Sequence, residues 1–258
     1  MNLNRVWAIA LRHLFLAKRQ LERIGDLFLF PIVGILLWGF VSNFLSVQGP
    51  GLAAFLIGGL ILWIVFERVG TGIGIDFMYE VWDRNIVNIL ASPITITEFI
   101  SGLVLVALVK VLISFALMWA VAVVFFGFNI GSLGTYLVLF WLNIIIFAAS
   151  LGIFNVAIVT RYGATIGPLT WLLPFILQPF VAVFYPVSVM PVFVQKIAWF
   201  IPLSHVFEGM RYTLATGKFG TGQFTAAIIL NLIYFSLSVG FFAYMFNLVK
   251  KKGTLVKL

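Results

Sequence analysis

Long apolar runs separated by short polar punctuation dominate the chain. The 21 residues from Leu27 to Val47 carry no charge, and about 20 apolar residues let a helix cross some 30 Å of hydrocarbon. The Gln48-Gly49-Pro50 turn closes this first span, 27–47, and a second follows at 51–75, interrupted by Glu67 and Arg68. A third, 98–126, contains Lys110. From Val111 to Thr160 there are 50 residues without a charge, too many for one crossing, and Gly127-Phe128-Asn129-Ile130-Gly131-Ser132 supplies turn chemistry inside them. The fourth span is therefore placed at 135–159. Arg161, Tyr162 and Gly163 lead to a fifth, 164–184, in which Pro168, Pro174 and Pro179 predict kinks. Residues 185–221, divided by Pro186, Pro191 and Pro202, contain no stretch long enough to cross and are read as external re-entrant or interfacial helices. A sixth span, 223–249, ends at Lys250, Lys251, Lys252 and Lys257. The expected fold is one all-α integral membrane domain, 1–258, with six transmembrane helices.

Charge sets the expected orientation. Lys and Arg accumulate on the cytoplasmic side, and with the N-terminus inside, eleven of them fall there against three outside, Lys196, Arg211 and Lys218. Both termini are thus expected in the cytoplasm of a cell-membrane protein. Residues 1–24 place Val6, Ile9, Ala10, Leu14 and Ala17 at helical spacing among Arg5, Arg12, Arg19 and Arg23, a pattern suited to a helix lying in the inner interface with its arginines toward anionic headgroups. Span one is expected to be retained: it exceeds the usual 7–15 apolar residues of a cleaved signal, and no Ala-x-Ala site follows it.

Composition narrows the chemistry. Apolar residues make up 63% and charged residues 9% of the 258, and cysteine is absent, so disulfides, thiolate metal sites and cysteine nucleophiles are excluded. The formal charge of +8 resides in residues flanking apolar runs, which indicates membrane orientation rather than nucleic-acid binding. Eight acids and two histidines leave little for catalysis. Asp76, Glu80 and Asp83 share a helical face that in principle suits a divalent metal, but the preferred reading is a solvated face at the cytoplasmic end of span two. No catalytic, cofactor or metal-binding residue is assigned. His13 and His205 show no ligand spacing.

Charges at membrane depth cost about 2.5–3.5 kcal/mol each on insertion scales. Glu67, Arg68 and Lys110 qualify, and a structural network is expected in which Glu67 pairs with Lys110 or Arg68; a proton or ion relay is the functional rival. Gly70 and Gly74, and Gly163 and Gly167, have the small-xxx-small spacing of close helix contacts.

The 84–93 loop carries the most specific pattern. Ile86, Ile89 and Leu90 make one apolar stripe of a short helix ended by Pro93, suited to docking a partner protein. The Asn-Ile-Leu-Ala-Ser-Pro-Ile run that begins at Asn88, with Glu98 and Gly102 beyond, resembles the coupling-helix region of ABC type-two exporter permeases. A second segment, Pro202-Leu203-Ser204-His205-Val206-Phe207-Glu208-Gly209-Met210-Arg211, is similar to that family's Pro-Leu-x-x-x-x-Glu-x-x-Arg signature. The layout of an interfacial helix, six spans and a re-entrant segment also resembles these permeases, in their type V, G-subfamily-like form.

The resemblance implies a dimeric permease whose cytoplasmic coupling helices, here Arg84, Asn85, Asn88, Ile89, Leu90 and Pro93, dock a separate ATPase that binds ATP and Mg. No Gly-x-x-x-x-Gly-Lys-[Ser/Thr] phosphate cradle occurs in this chain, so hydrolysis would have to come from that partner. His205, Glu208 and Arg211 are external gate candidates, with a local ion pair between Glu208 and Arg211 the simpler reading. The expected cargo is an amphipathic lipid or drug, or a lipid-linked glycan; the Trp-rich opening associated with polysaccharide exporters is missing from span one. A gradient-driven secondary transporter is the alternative, although acids on discontinuous helices and an internal repeat are not visible. A lipid-modifying enzyme ranks third.

Overall fold

The computed structural model describes residues 1–46 and 52–252, all helical or in turns, with no strand among them. The Gln48-Gly49-Pro50 turn and Lys257 lie outside the described residues. Ten α-helices follow in order: α1 Leu3–Arg19, α2 Leu21–Ser46, α3 Leu52–Trp82, α4 Ile86–Ala91, α5 Ile96–Phe126, α6 Thr135–Tyr162, α7 Pro168–Leu177, α8 Val192–Trp199, α9 Pro202–Thr216 and α10 Thr221–Lys251. Five of them, α2, α3, α5, α6 and α10, are long and apolar enough to cross a membrane.

Helix α3 is the axis. Its most apolar stretch is 67% buried, against 17% for α2 and 22% for α10, because α2, α5, α6, α7 and α9 all pack on it. Small residues permit the approach. A Cβ on Gly74 would sit 2.8 Å from Thr170 Cγ2 and 2.9 Å from Asn155 Nδ2, and one on Gly152 of α6 would meet Ile73 at 2.9 Å. Gly70 faces Ala148 of α6, so the 70/74 pair is a packing site. Gly163 is not: it caps α6 with φ +73° and has nothing near its Cβ position, so glycine is there for its backbone. Phe66 stacks on Phe147 at 5.5 Å within the same interface. Farther out, Asn231 of α10 donates to Asn143 of α6, to its carbonyl at 3.0 Å and its side-chain oxygen at 2.9 Å, the kind of polar link that joins helices where no water competes.

The expected span at 164–184 is not one helix. A 3₁₀ turn at Gly163–Ile166, α7, and a second 3₁₀ turn at Gln178–Phe180 replace it. Pro168 starts α7 in the position proline favours, while Pro174 and Pro179 each remove a backbone donor and limit α7 to 10 residues. The segment still travels far. Thr170 lies beside Gly74, and the Val183 carbonyl lies 2.5 Å from the Cβ position of Gly59; fifteen residues along α3 separate those glycines, about 22 Å of rise. Residues 185–221 fold as a short 3₁₀ turn at Val187–Val189 followed by α8 and α9.

Helix α1 also departs from expectation. Val6, Ile9 and Ala10 are buried against the protein, mainly against α5, rather than offered to lipid. Gly102 makes that contact possible, since its Cβ position falls 2.6 Å from Ile9 Cγ2. Trp7 and Phe15 point away, exposed.

Gly59→Ala should lower stability by about 1–3 kcal/mol, because the added methyl meets a carbonyl that cannot rotate aside. Gly25→Ala, with open space at its Cβ position, should be neutral or stabilising by up to about 1 kcal/mol. Thermal unfolding of the two detergent-purified variants checks the contrast; equal midpoints would contradict the packing.

Candidate functional site: a charge cluster beneath a short surface helix

The last turns of α3 carry Asp76 and Glu80 one turn apart, and both are 1% exposed. The solvated face expected for them is therefore wrong. Cations from three other helices cover them. Arg23 of α2 donates to Asp76 Oδ1 at 2.8 Å, and Lys110 of α5 reaches Asp76 Oδ2 at 2.7 Å and Oδ1 at 3.0 Å. Arg12 of α1 pairs with Glu80. His13, fully buried, lies between the two acids, with Nε2 3.2 Å from Glu80 Oε1 and Nδ1 3.9 Å from Asp76 Oδ1. The Arg23 guanidinium also sits 4.1 Å over the Tyr79 ring, a cation–π contact that partly replaces lost water.

Each expected member of the intramembrane network is close by, with different partners. Lys110 pairs with Asp76 and not with Glu67; Arg68 pairs with Asp26 of α2. The Glu67 carboxylate makes no hydrogen bond or ion pair among the described residues, although its backbone carbonyl accepts from Thr71 Oγ1 at 2.6 Å, and the charged groups acting on it are Arg68 and Asp26. Spacing explains the change. Asp76 stands nine residues beyond Glu67 on α3, at the level where α5 brings Lys110. These groups surround a cleft of about 450 Å³ between α2, α3, α5 and α7.

The short helix α4 is suspended from the same cluster. Asn85, which precedes it, donates from Nδ2 to Glu80 Oε2 at 2.6 Å, and Asn88 Nδ2 donates to Asn85 Oδ1 at 3.2 Å. Arg84 turns the chain into α4 with φ 53°, a left-handed value uncommon outside glycine. Ile86 is buried, and Ile89 and Leu90 are half-buried against the core. The apolar stripe therefore faces the chain's own interior. What α4 and its approach expose is Trp82, Asp83, Arg84, Val87, Asn88 and Ala91, with Pro93 beyond. After it, Thr95 and Glu98 form a reciprocal capping box for α5. Glu98 Oε1 also accepts from the Asn2 backbone at 2.7 Å, fixing the start of α1 to the start of α5.

His205, Glu208 and Arg211 lie at the opposite end of α3, where Met210 of α9 packs beside Gly58. Arg211 Nη2 donates to Glu208 Oε1 at 2.9 Å, and its Nη1 donates to the Ala182 carbonyl at 2.7 Å. The Glu208 carboxylate accepts from Val187 N at 2.7 Å, and His205 Nε2 lies 2.9 Å from the Trp199 carbonyl. Burial lowers the Arg211 pKa from its usual value and the Glu208 carboxylate opposes that; an arginine starting so high stays charged. The pair clamps residues 182–187 onto α9.

Sequence reasoning missed His13, Arg12, Arg23, Asp26 and Asp76 as one unit. A signal existed: Arg12, His13 and Arg23 precede the first span, and Asp76 and Glu80 lie one turn apart at the end of the second. Only the packing of α1 on α5, which brings Arg12 and His13 within reach of the end of α3, shows that they meet.

Asp76→Asn should destabilise the protein by about 3–5 kcal/mol, since Arg23 and Lys110 would lose their shared counter-ion in a buried site. Asp83→Asn, at an exposed position, should stay within about 0.5 kcal/mol of wild type. Chemical or thermal unfolding of the pair in one detergent is the check.

The comparison with protein families agrees with this architecture over most of its length. The ABC-2 type transporter family profile matches residues 6–215, from α1 through the last turn of α9. No curated protein matches the chain. A match over that share of the sequence, on an all-helical chain with five membrane-length helices, shows that the chain belongs to the ABC-2 type transporter family.

Proposed function

We propose that this chain is the permease subunit of an ABC exporter, moving an amphipathic lipid, drug or lipid-linked glycan outward on ATP hydrolysed by a separate subunit. The observation that carries the reading is α4. It is six residues long, rooted in the core by Ile86, hydrogen-bonded through Asn85 to the buried cluster, and exposed along Trp82, Arg84, Val87 and Asn88. A helix so fixed on one side and so open on the other suits transmission of force from a docked protein. Membership of the ABC-2 family supports a nucleotide-binding partner, and the lack of a phosphate cradle in the sequence supports placing hydrolysis there.

The chain acts as a homodimer in a cell membrane, with six crossings and both ends cytoplasmic. The broken segment 163–184 supplies the sixth crossing, which the roughly 22 Å of travel along α3 supports. Cytoplasmic placement of α1 and α4 together is supported by their shared anchorage on Glu80 and by the Lys and Arg bias. Glu208 and Arg211 close the outer side, holding the extracellular helices over the pathway until the dimer changes state. The ATPase-contacting face is Val87, Asn88 and Arg84, with Ile89 and Leu90 bracing α4 from behind.

Two measurements test this. Coexpressed with a candidate nucleotide-binding subunit that copurifies with the wild-type chain, the Val87→Asp chain should fold and reach the membrane but lose at least tenfold in copurified ATPase, whereas Ile86→Asp should reduce the amount of permease itself. Retention of the ATPase by Val87→Asp would remove α4 as the dock. Because the native chain has no cysteine, single cysteines at Asn88 and Ser132 report sidedness directly. An impermeant maleimide applied to whole cells should label Ser132→Cys and leave Asn88→Cys unlabelled until lysis; the reverse pattern would invert the topology.

A further inference from the structure

The cleft between α2, α3, α5 and α7 holds three cations and three acids, yet they are not equally available. Arg23, Arg68 and Lys110 are 7%, 12% and 21% exposed at their side chains, and each is engaged by a carboxylate. Asp76 is enclosed by its partners. What faces the open space is acidic and aromatic. The Asp26 side chain is 53% exposed, and Glu67 is half-buried, its carboxylate without a hydrogen bond or ion pair among the described residues. Around them Phe30, Trp171 and Phe175 are 62%, 41% and 53% exposed while lining the same cleft.

An unpaired carboxylate at this depth carries a standing cost of a few kcal/mol, and ring faces attract cations, most strongly when water is excluded. A cleft of about 450 Å³ lies within the usual range for small-molecule sites. We propose that this cleft is a binding site for lipophilic cations: a protonated amine or quaternary nitrogen takes its charge to Glu67, with Asp26 adding to the field, while its apolar body rests on Phe30, Trp171 and Phe175. The buried arginines and Lys110 exclude nothing by contact, since their heads are turned to their own acids. Selectivity comes from the acids, because an anion entering here meets the exposed Asp26 and the half-buried Glu67 carboxylates first. The inference deepens the export reading by naming a cargo class, and rests on that reading only for the word cargo; the binding itself needs no ATPase.

Tetraphenylphosphonium and tetraphenylborate, matched in size and opposite in charge, separate charge selectivity from greasiness. With the full chain in lipid nanodiscs, and empty nanodiscs as the blank, equilibrium binding of radiolabelled tetraphenylphosphonium should be saturable, and tetraphenylborate should show no saturable component. Glu67→Gln should weaken the phosphonium at least tenfold, and Trp171→Leu at least threefold. Glu67→Gln preserves volume and removes an unpaired acid, so its unfolding midpoint should equal or exceed that of wild type, which keeps lost binding distinct from lost fold. Saturable tetraphenylborate binding, or phosphonium binding indifferent to Glu67→Gln in a folded variant, overturns the proposal. Absent phosphonium binding alongside intact ATP-dependent export of another amphiphile overturns the cation site alone; intact binding in a chain that never recruits an ATPase overturns the exporter reading and leaves the site.

Discussion

Asp76 and Glu80 organise the end of the helix bundle at which α3 finishes. Neither acid can remain ionised at 1% exposure without compensation, and the cations that compensate them arrive on α1, α2 and α5. The ion pairs therefore do more than neutralise charge. They determine which helices converge, at what depth, and how α1 is rotated about its own axis. Buried ion pairs add little net stability compared with apolar replacements, but they penalise wrong arrangements heavily, because any arrangement that separates one partner leaves a charge uncovered. In a structure otherwise held by leucine, isoleucine and phenylalanine, which pack almost as well in several rotations, that penalty gives this end of the bundle its single geometry.

Along α6 and the 163–184 segment, close packing on α3 is reached by other means. Glycines at 59, 70, 74 and 152 bring α6 and the 163–184 segment close to α3, and the Arg211 guanidinium ties the Ala182 carbonyl to α9. Here an arginine satisfies backbone acceptors that broken helices leave over, which is how irregular backbone becomes tolerable at membrane depth. The prolines that break the 163–184 segment and the arginine that repairs it are thus two parts of one solution.

How much of this was legible in the sequence follows from what each signal depends on. The five long helices were readable because uninterrupted apolar length is a property of the local chain. The broken state of 164–184 was half readable: Pro168, Pro174 and Pro179 announced kinks, but whether kinks end a helix depends on what neighbours offer the freed carbonyls. The stripe of Ile86, Ile89 and Leu90 was correctly seen as a face and assigned to the wrong side, since periodicity identifies a face without saying what covers it. The arginines of α1 look like headgroup ligands until α3 places acids above them. Lys110 was paired with the nearest intramembrane acid by depth, and the actual partner lies two and a half turns farther along α3. In each case the residue type was informative and the tertiary partner was not encoded nearby.

Glu80 is shared among Arg12, His13 and Asn85, so α1 and α4 are fastened to one carboxylate. A displacement of α4 that stretches its bond to Glu80 must either drag the end of α3 or loosen α1, whose Trp7 and Phe15 are exposed. The surface helix, the end of α3 and the tilt of α1 are thus a single mechanical variable, held at one carboxylate.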